Sequence, residues 1–411
     1  MGEQVNVQLA NMAYGGDAVG RHASGGKAVF VPYGIPGESV RVEIVQDKAR
    51  FARARLLEVL SASPQRVQPP CPYFGMCGGC QWQHIAYEGQ LEYKRSIVRM
   101  QLQRIAGLPD AIVHPTLGMA DPWHYRNHVQ LSVSHDGQLG FMAVGSHQVV
   151  PIERCLLMNP LLEELFDSLD IELPGLQRLS LRAGINTGDQ MIIFEMESDR
   201  PPDLEVGLPV SCVLLLSNGT PITLLGSPYI YEQVAGRVYR LSAPSFFQVN
   251  TWQTEELVSL VSTHLSPGPD SVVLDAYCGV GTFALSLAAD AKQVIGIESN
   301  AAAIADAEAN AADTDNVAFI HGTPEEIAPT LDIAAPLVVL DPPRTGLDKE
   351  ALSALVSLAP PRIVYVSCDP ATLARDIKRL LASGYHLREV QPVDMFPQTY
   401  HIECVAVLDH Q

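Results

Sequence analysis

Apolar and polar positions alternate with a period of two through the N-terminal segment. Val5-Asn-Val-Gln-Leu, Lys27-Ala-Val-Phe-Val, Ser39-Val-Arg-Val-Glu-Ile and Ala54-Arg-Leu-Leu-Glu-Val read as short strands, parted by turns at Gly15-Gly16, Gly25-Gly26 and Gly34-Ile-Pro-Gly37. Strands at this spacing predict a small barrel of OB-like character over residues 1–66. A helical period then takes over. Leu91, Val98, Leu102 and Ile105 fall on one face of a predicted helix from Glu88 to Gly107, with Lys94, Arg95 and Arg99 off that face. Residues 116–240 return mostly to strand patterns, such as His128-Val-Gln-Leu-Ser-Val, Gln190-Met-Ile-Ile-Phe-Glu and Cys212-Val-Leu-Leu-Leu-Ser.

From residue 245 apolar strand runs alternate with helical segments. Val272-Val-Leu-Asp-Ala, Val294-Ile-Gly-Ile-Glu298, Val317-Ala-Phe-Ile, Leu337-Val-Val-Leu-Asp341 and Ile363-Val-Tyr-Val are separated by helical stretches from Phe283, at Ala301 to Ala312 and at Lys349 to Leu358. Such alternation predicts an α/β fold with a doubly wound parallel sheet. Arg388 to Phe396 and Ile402 to Leu408 close it as paired strands. The pattern divides the chain into a barrel (1–66), a central mostly-β part (67–244) and an α/β part (245–411), with the helix near 88–107 expected to pack on the last.

A composition of 47% hydrophobic and 18% charged residues describes a globular chain, and no apolar run reaches spanning length. The first residues show neither the basic start nor the apolar core of a secretion signal, so a cytoplasmic setting is expected, and no obligate protein partner is evident. A net charge of −19 argues against a nucleic-acid partner, yet residues 1–130 carry thirteen Lys/Arg against ten Asp/Glu. The acidity lies beyond them. Lys48, Arg50, Arg53 and Arg55 cluster on the last barrel hairpin, as phosphate contacts or as a solvated edge that deters strand pairing. Trp123-His-Tyr-Arg-Asn-His128 could stack on bases around Arg126, or form a packed aromatic edge.

Eight cysteines in so long a chain are not a disulfide framework. Cys71, Cys77 and Cys80 have C-x5-C-x2-C spacing, and Cys155 supplies a fourth thiolate from afar. Four soft ligands suit zinc or an iron–sulfur cluster, and spacing does not separate the two. In the α/β part, the turn Asp275-Ala-Tyr-Cys-Gly-Val-Gly follows the first strand, and Glu298 ends the second, 19 residues beyond Gly279. A glycine turn plus an acid for ribose hydroxyls suits a nicotinamide cofactor or S-adenosylmethionine. Asp341-Pro-Pro-Arg ends the fourth strand at the same edge, where Asp341 could bond a base or orient a neighbour; amine-methylating enzymes use a similar loop. Cys368 follows the fifth strand, and Glu403 enters the last apolar run, where a half-buried carboxylate tends toward a raised pKa.

Together these segments resemble the RNA 5-methyluridine methyltransferase family, and within it the 23S ribosomal RNA (uracil-C5) branch with an iron–sulfur cluster. The resemblance covers essentially the whole chain. It implies a class I S-adenosylmethionine methyltransferase fold, an RNA-binding TRAM barrel, and a central domain whose Cys71, Cys77, Cys80 and Cys155 hold a [4Fe–4S] cluster. Ser245-Phe-Phe-Gln-Val-Asn250 matches the signature whose glutamine, Gln248, contacts S-adenosylmethionine; Tyr277, Gly279, Thr282, Glu298 and Asp341 complete the implied cofactor set. Ser367-Cys-Asp-Pro-Ala-Thr-Leu-Ala-Arg-Asp matches the nucleophile motif at Cys368, and His401-Ile-Glu403 the general-base motif. The implied partner is 23S ribosomal RNA, with transfer RNA as the alternative; a non-catalytic RNA-binding iron–sulfur protein is the rival class. Asp369 departs from the family's usual asparagine, and a carboxylate there would raise the thiol pKa.

Overall fold

The computed structural model describes residues 2–22, 26–170 and 173–410, so of the Gly25-Gly26 turn only Gly26 is described. Strands β1 (Gln4–Met12), β2 (Ala18–His22), β3 (Ala28–Val31), β4 (Ser39–Asp47) and β5 (Phe51–Ser61) close a barrel in the order β1-β2-β3-β5-β4. The pattern predicted four of these. The missed strand, β2, holds Gly20, which reads as a turn residue but is needed for close approach: a Cβ there would lie 2.4 Å from the Gln8 carbonyl oxygen. Arg53 faces Asp17 at 3.6 Å and Arg55 pairs with Glu43, so two of the four clustered cations are already matched.

Helix α1 (Tyr87–Gln101) runs into a π-helical turn, Leu102–Ala106, and stops at Gly107 with φ of 75°. The structure corrects the expected place of Lys94 on the polar face, while Arg99 there is exposed. Lys94 is fully buried, and its ammonium donates to Asp394 Oδ1 at 2.5 Å and to the Phe396 carbonyl at 3.1 Å. The central part is a seven-stranded sheet of β6 (His128–Val133), β7 (Leu139–Met142), β8 (Val149–Pro151), β9 (Leu176–Ala183), β10 (Gln190–Met196), β11 (Ser211–Leu215) and β12 (Pro221–Leu225), ordered β12-β11-β10-β9-β6-β7-β8. Helix α2 (Pro160–Asp167) covers it. The hairpin β13 (Tyr229–Val234) and β14 (Arg237–Ser242) follows, then helix α3 (Thr251–Leu265).

The C-terminal sheet contains β15 (Val272–Ala276), β16 (Gln293–Glu298), β17 (Val317–His321), β18 (Leu337–Leu340), β19 (Arg362–Ser367), β20 (Tyr385–Val393) and β21 (Glu403–His410). Its order is β17-β16-β15-β18-β19-β21-β20: the first five are parallel, and β21 is antiparallel to both its neighbours. Helices α4 (Thr282–Leu287), α5 (Ala301–Asn310), α6 (Pro324–Ile327), α7 (Lys349–Ser357) and α8 (Pro370–Ala382) connect the strands. Both faces are buried, which explains the uninterrupted apolar runs. Leu274, Ile297, Leu340 and Tyr365 join a core with α8, α1 and the barrel. Val273, Val339, Val364 and Val366 join α3, α4 and the β13–β14 hairpin on the other side. Among the described residues no helix is long and apolar enough to cross a membrane.

Candidate active site

The parallel strands deliver their carboxyl ends to one edge, where an open α/β sheet binds its ligands. Asp275 lies in β15 one residue from its end, fully buried; its Oδ2 accepts from Ala284 N at 2.9 Å, while Oδ1 is buried without a partner. Burial, with Asp341 and Glu298 nearby, pushes this carboxyl up to about 8. Tyr277 next takes φ of 98°, its N–H donating to the Ile297 carbonyl at 2.9 Å, which fixes the glycine turn to the neighbouring strand. Gly279 N donates to Glu298 Oε2 at 3.1 Å, and Glu298 Oε1 accepts from Asn300 N at 2.7 Å. Gly281 (φ 88°) opens α4, whose first residue is Thr282. A Cβ on Gly281 would reach within 2.9 Å of Phe319, whereas one on Gly279 would meet nothing within 4 Å. The space over Gly279 is open to a ligand. A groove of about 460 Å3 continues from Tyr277 past Ser299, Thr323 and Asp348.

Asp341 follows β18, and Gln248 Nε2 donates to its Oδ2 at 3.4 Å. Gln248 itself is held from the central part: Asn127 Nδ2 donates to the Gln248 carbonyl and to Thr251 Oγ1, both at 3.0 Å. Asn250, fully buried, caps α3 by accepting from Gln253 N and donates to the Met395 carbonyl at 3.1 Å.

The strand register brings Cys368 and Glu403 together from opposite ends of antiparallel neighbours. Ser367 pairs with Cys404, so the next step of the ladder sets Cys368 opposite Glu403, just past the last hydrogen-bonded pair. Glu403 is 2% exposed, its Oε1 without a partner among the described residues. Burial, with Asp341 adding to it, holds that carboxyl well above its ordinary value. Asp341 is itself pushed up to about 7 by burial, against the Gln248 bond. Two close carboxyls in one dry pocket do not ionise together readily. Burial, Glu403 and Asp341 push the half-buried Cys368 thiol up to about 12, and Arg344, from the Asp341-Pro-Pro-Arg turn, opposes them. Asp369 is the N-cap of α8: its Oδ1 accepts from Ala371 N and Thr372 N, both at 3.0 Å, and its Oδ2 accepts the Tyr14 hydroxyl from the barrel.

The loop from Asp394 to Ile402 leads into Glu403, and the central part clamps it. Lys94 holds Asp394; Gln90 Nε2 donates to Gln398 Oε1 at 2.9 Å; Trp82 N donates to the Gln398 carbonyl at 3.0 Å. Neither Gln90 nor Lys94 stood out in sequence, because each reads as an ordinary exposed helix residue. Tyr125 donates its hydroxyl to the Pro397 carbonyl at 3.1 Å and is fully buried, while Arg126 beside it is half-buried. For Tyr125 the packed edge is what the structure holds, and base stacking by that ring is corrected.

Cys71, Cys77, Cys80 and Cys155 line one cavity, closed by Tyr73, Phe74 and Arg126. Burial pushes Cys80 up to about 12, with Arg126 opposing it. Among the described residues, no group of three or more His, Cys, Asp or Glu side chains is close enough to hold a single metal ion. Cys155 thus shares a cavity with the three cysteines from which it is distant in sequence, without the tight convergence a lone zinc would need.

Residues 217–411 match the family described as tRNA (Uracil-5-)-methyltransferase, and residues 1–57 match the TRAM domain. An uncharacterized RNA methyltransferase of Thermosynechococcus vestitus is 36% identical, covering 99% of this chain and 98% of its own. One from Streptomyces avermitilis is 38% identical over 100% and 99% respectively. The solved structure of Pyrococcus abyssi tRNA (uracil-54, C5)-methyltransferase in complex with S-adenosyl-L-homocysteine superposes with a TM-score of 0.78 at 28% identity, covering 98% of this chain and all of that one. The class I methyltransferase fold and the TRAM barrel follow, and the chain belongs to the RNA uracil-5-methyltransferase family, whose methyl donor is S-adenosylmethionine.

Proposed function

We propose that this protein methylates carbon 5 of one uridine in RNA through a covalent bond between Cys368 and carbon 6 of the uracil. The observation that carries this is the register that sets Cys368 against Glu403 beside Asp341. Carbon 5 of uracil is a poor nucleophile, and addition of the Cys368 thiolate to carbon 6 shifts the ring's electron pair onto carbon 5 and its carbonyl. S-adenosylmethionine supplies the methyl group. Glu403 then takes the carbon-5 proton, the carbon 5–carbon 6 double bond re-forms, and the Cys368–carbon 6 bond breaks to return the thiolate. The base must leave its stack to enter so buried a pocket.

Asp275, Tyr277, Gly279, Thr282 and Glu298 fit the nucleoside end of the cofactor, since the backbone over Gly279 is open and Glu298 stands ready for ribose hydroxyls. Gln248 and Asp341, joined by a hydrogen bond, would hold its reactive end. The buried Asp275 Oδ1, without a partner among the described residues, leaves a hydrogen-bonding position for a ligand. The cavity lined by Cys71, Cys77, Cys80 and Cys155 fits a [4Fe–4S] cluster by its donor set and by the Arg126 cation on its lining, since a four-iron cluster spreads its thiolates wider than one ion does. Its role here is to order the central part behind the Gln248 and Glu403 loops.

The three-part organisation at 1–66, 67–244 and 245–411 remains our reading, with the β13–β14 hairpin sharing the catalytic core. By family resemblance alone we take 23S ribosomal RNA as the substrate, in a cytoplasmic setting. The likeness to the Pyrococcus abyssi enzyme supports transfer RNA as the second reading. Mass analysis of nucleosides from unmodified ribosomal and transfer RNA, each incubated with protein and methyl donor, tests both. 5-Methyluridine in one RNA is expected. A methylated exocyclic amine, or no methyl transfer to either, overturns the proposal.

A further inference from the structure

The barrel reaches the nucleophile loop through Tyr14. Tyr14 sits in the β1–β2 turn, 39% exposed, and its hydroxyl donates to Asp369 Oδ2 across 355 positions of sequence. The turn is seated firmly. Gly16 gives its carbonyl to Trp82 Nε1 at 3.0 Å, and a Cβ on Gly16 would collide with Tyr400 at 2.8 Å. Asp369 is only 7% exposed and follows Cys368 directly. Two of its three donors are backbone N–H groups of α8; the third is Tyr14.

We propose that Tyr14 is a positioning residue for the nucleophile: by occupying the free oxygen of Asp369, it draws that carboxylate's charge away from Cys368 and makes the reactivity of the thiol depend on a docked barrel. This rests on reading Cys368 as the nucleophile. The groups that bear on the thiol are Glu403 from β21, Asp341 and Arg344 from the turn after β18, and Asp369 on its own loop. The His401 and Tyr400 rings, on the loop that leads into Glu403, tilt against each other with centroids 4.5 Å apart. Of the three carboxyls, Asp341 has Gln248, Glu403 Oε1 has none, and Asp369 has Tyr14 from the barrel. Partial burial and Asp369 push the Tyr14 phenol up to about 12, so at working pH it keeps the proton it donates. An asparagine at 369 would carry no charge to offset, and the phenol would then be dispensable for the thiol.

The test is the rate of Cys368 alkylation by iodoacetamide across pH, measured by peptide mass in full-length protein without RNA. Such a rate reports the thiol whether or not it is the nucleophile of methyl transfer. Methyl transfer by Cys368→Ala is measured in parallel to test that separate assignment. Tyr14→Phe is expected to shift the alkylation midpoint upward by about half a pH unit, about threefold slower at fixed pH. Asp369→Asn is expected to shift it downward, and Tyr14→Phe/Asp369→Asn to match Asp369→Asn alone. Limited proteolysis of the barrel checks docking: slower alkylation with faster barrel cleavage still supports the link if the double variant restores the rate. Tyr14→Phe with a wild-type alkylation profile overturns the proposal, as does a double variant as slow as Tyr14→Phe.

Discussion

Replacing Lys94 with methionine should destabilise the protein far more than its place on a surface-patterned helix suggests. Lys94 and Asp394 are both fully buried, and burial pushes the ammonium below its ordinary value while Asp394 raises it. Lys94→Met leaves the buried Asp394 carboxyl without its ammonium partner, where among the described residues Oδ2 already lacks one, and frees the Phe396 carbonyl. Stranding one member of a buried pair costs about 3–5 kcal/mol. The lost carbonyl bond adds about 1 kcal/mol. Lys94→Met/Asp394→Leu removes both charges and should recover most of that loss, leaving a deficit of about 1 kcal/mol. Urea denaturation of the three proteins measures this, with hydrogen exchange across residues 394–402 showing whether the loop loosens first. A single variant as stable as wild type, or a double variant no better than the single, would refute the reasoning.

The ligand-free protein should lose stability as pH rises from about 4 to 8. Asp275 (about 8) and Asp341 (about 7) hold protons in the fold that the unfolded chain releases near pH 4, so their contribution is complete below that and lost as pH passes their folded values. Thermal melts should show Asp275→Asn flattening this slope; an unchanged slope contradicts the assigned burial. Cys155→Ala should lose iron as fully as Cys77→Ala, despite its distance in sequence, in anaerobic preparations expected to carry about four irons per chain. Stoichiometric zinc in such material would sink the cluster reading.

The α/β half was legible because strand and helix periods alternate cleanly, and because both sheet faces are buried, which leaves unbroken apolar runs such as Ile363 to Val366. The ends of those strands carried the candidate residues, and the structure brings Gly279 to Glu298, Gln248 to Asp341 and Cys368 to Glu403. Strand β2 was hidden because Gly20 serves interstrand proximity where glycine usually signals a turn. Lys94 was hidden because its buried partner lies 300 residues away. For Asp369, the sequence showed a carboxylate beside a thiol but not the Tyr14 hydroxyl that meets it. Long-range polar contacts leave no periodic trace, so local patterns could not reveal them.

The division of labour between Cys368 and Glu403 is tested most directly by denaturing electrophoresis of protein incubated with labelled substrate RNA and methyl donor. Glu403→Gln should accumulate a methylated protein–RNA adduct, because the carbon-5 proton stays and Cys368 cannot leave. Cys368→Ala should form none while still binding RNA. Glu403→Gln that turns over without a trapped adduct, or an adduct that persists in Cys368→Ala, would contradict the account.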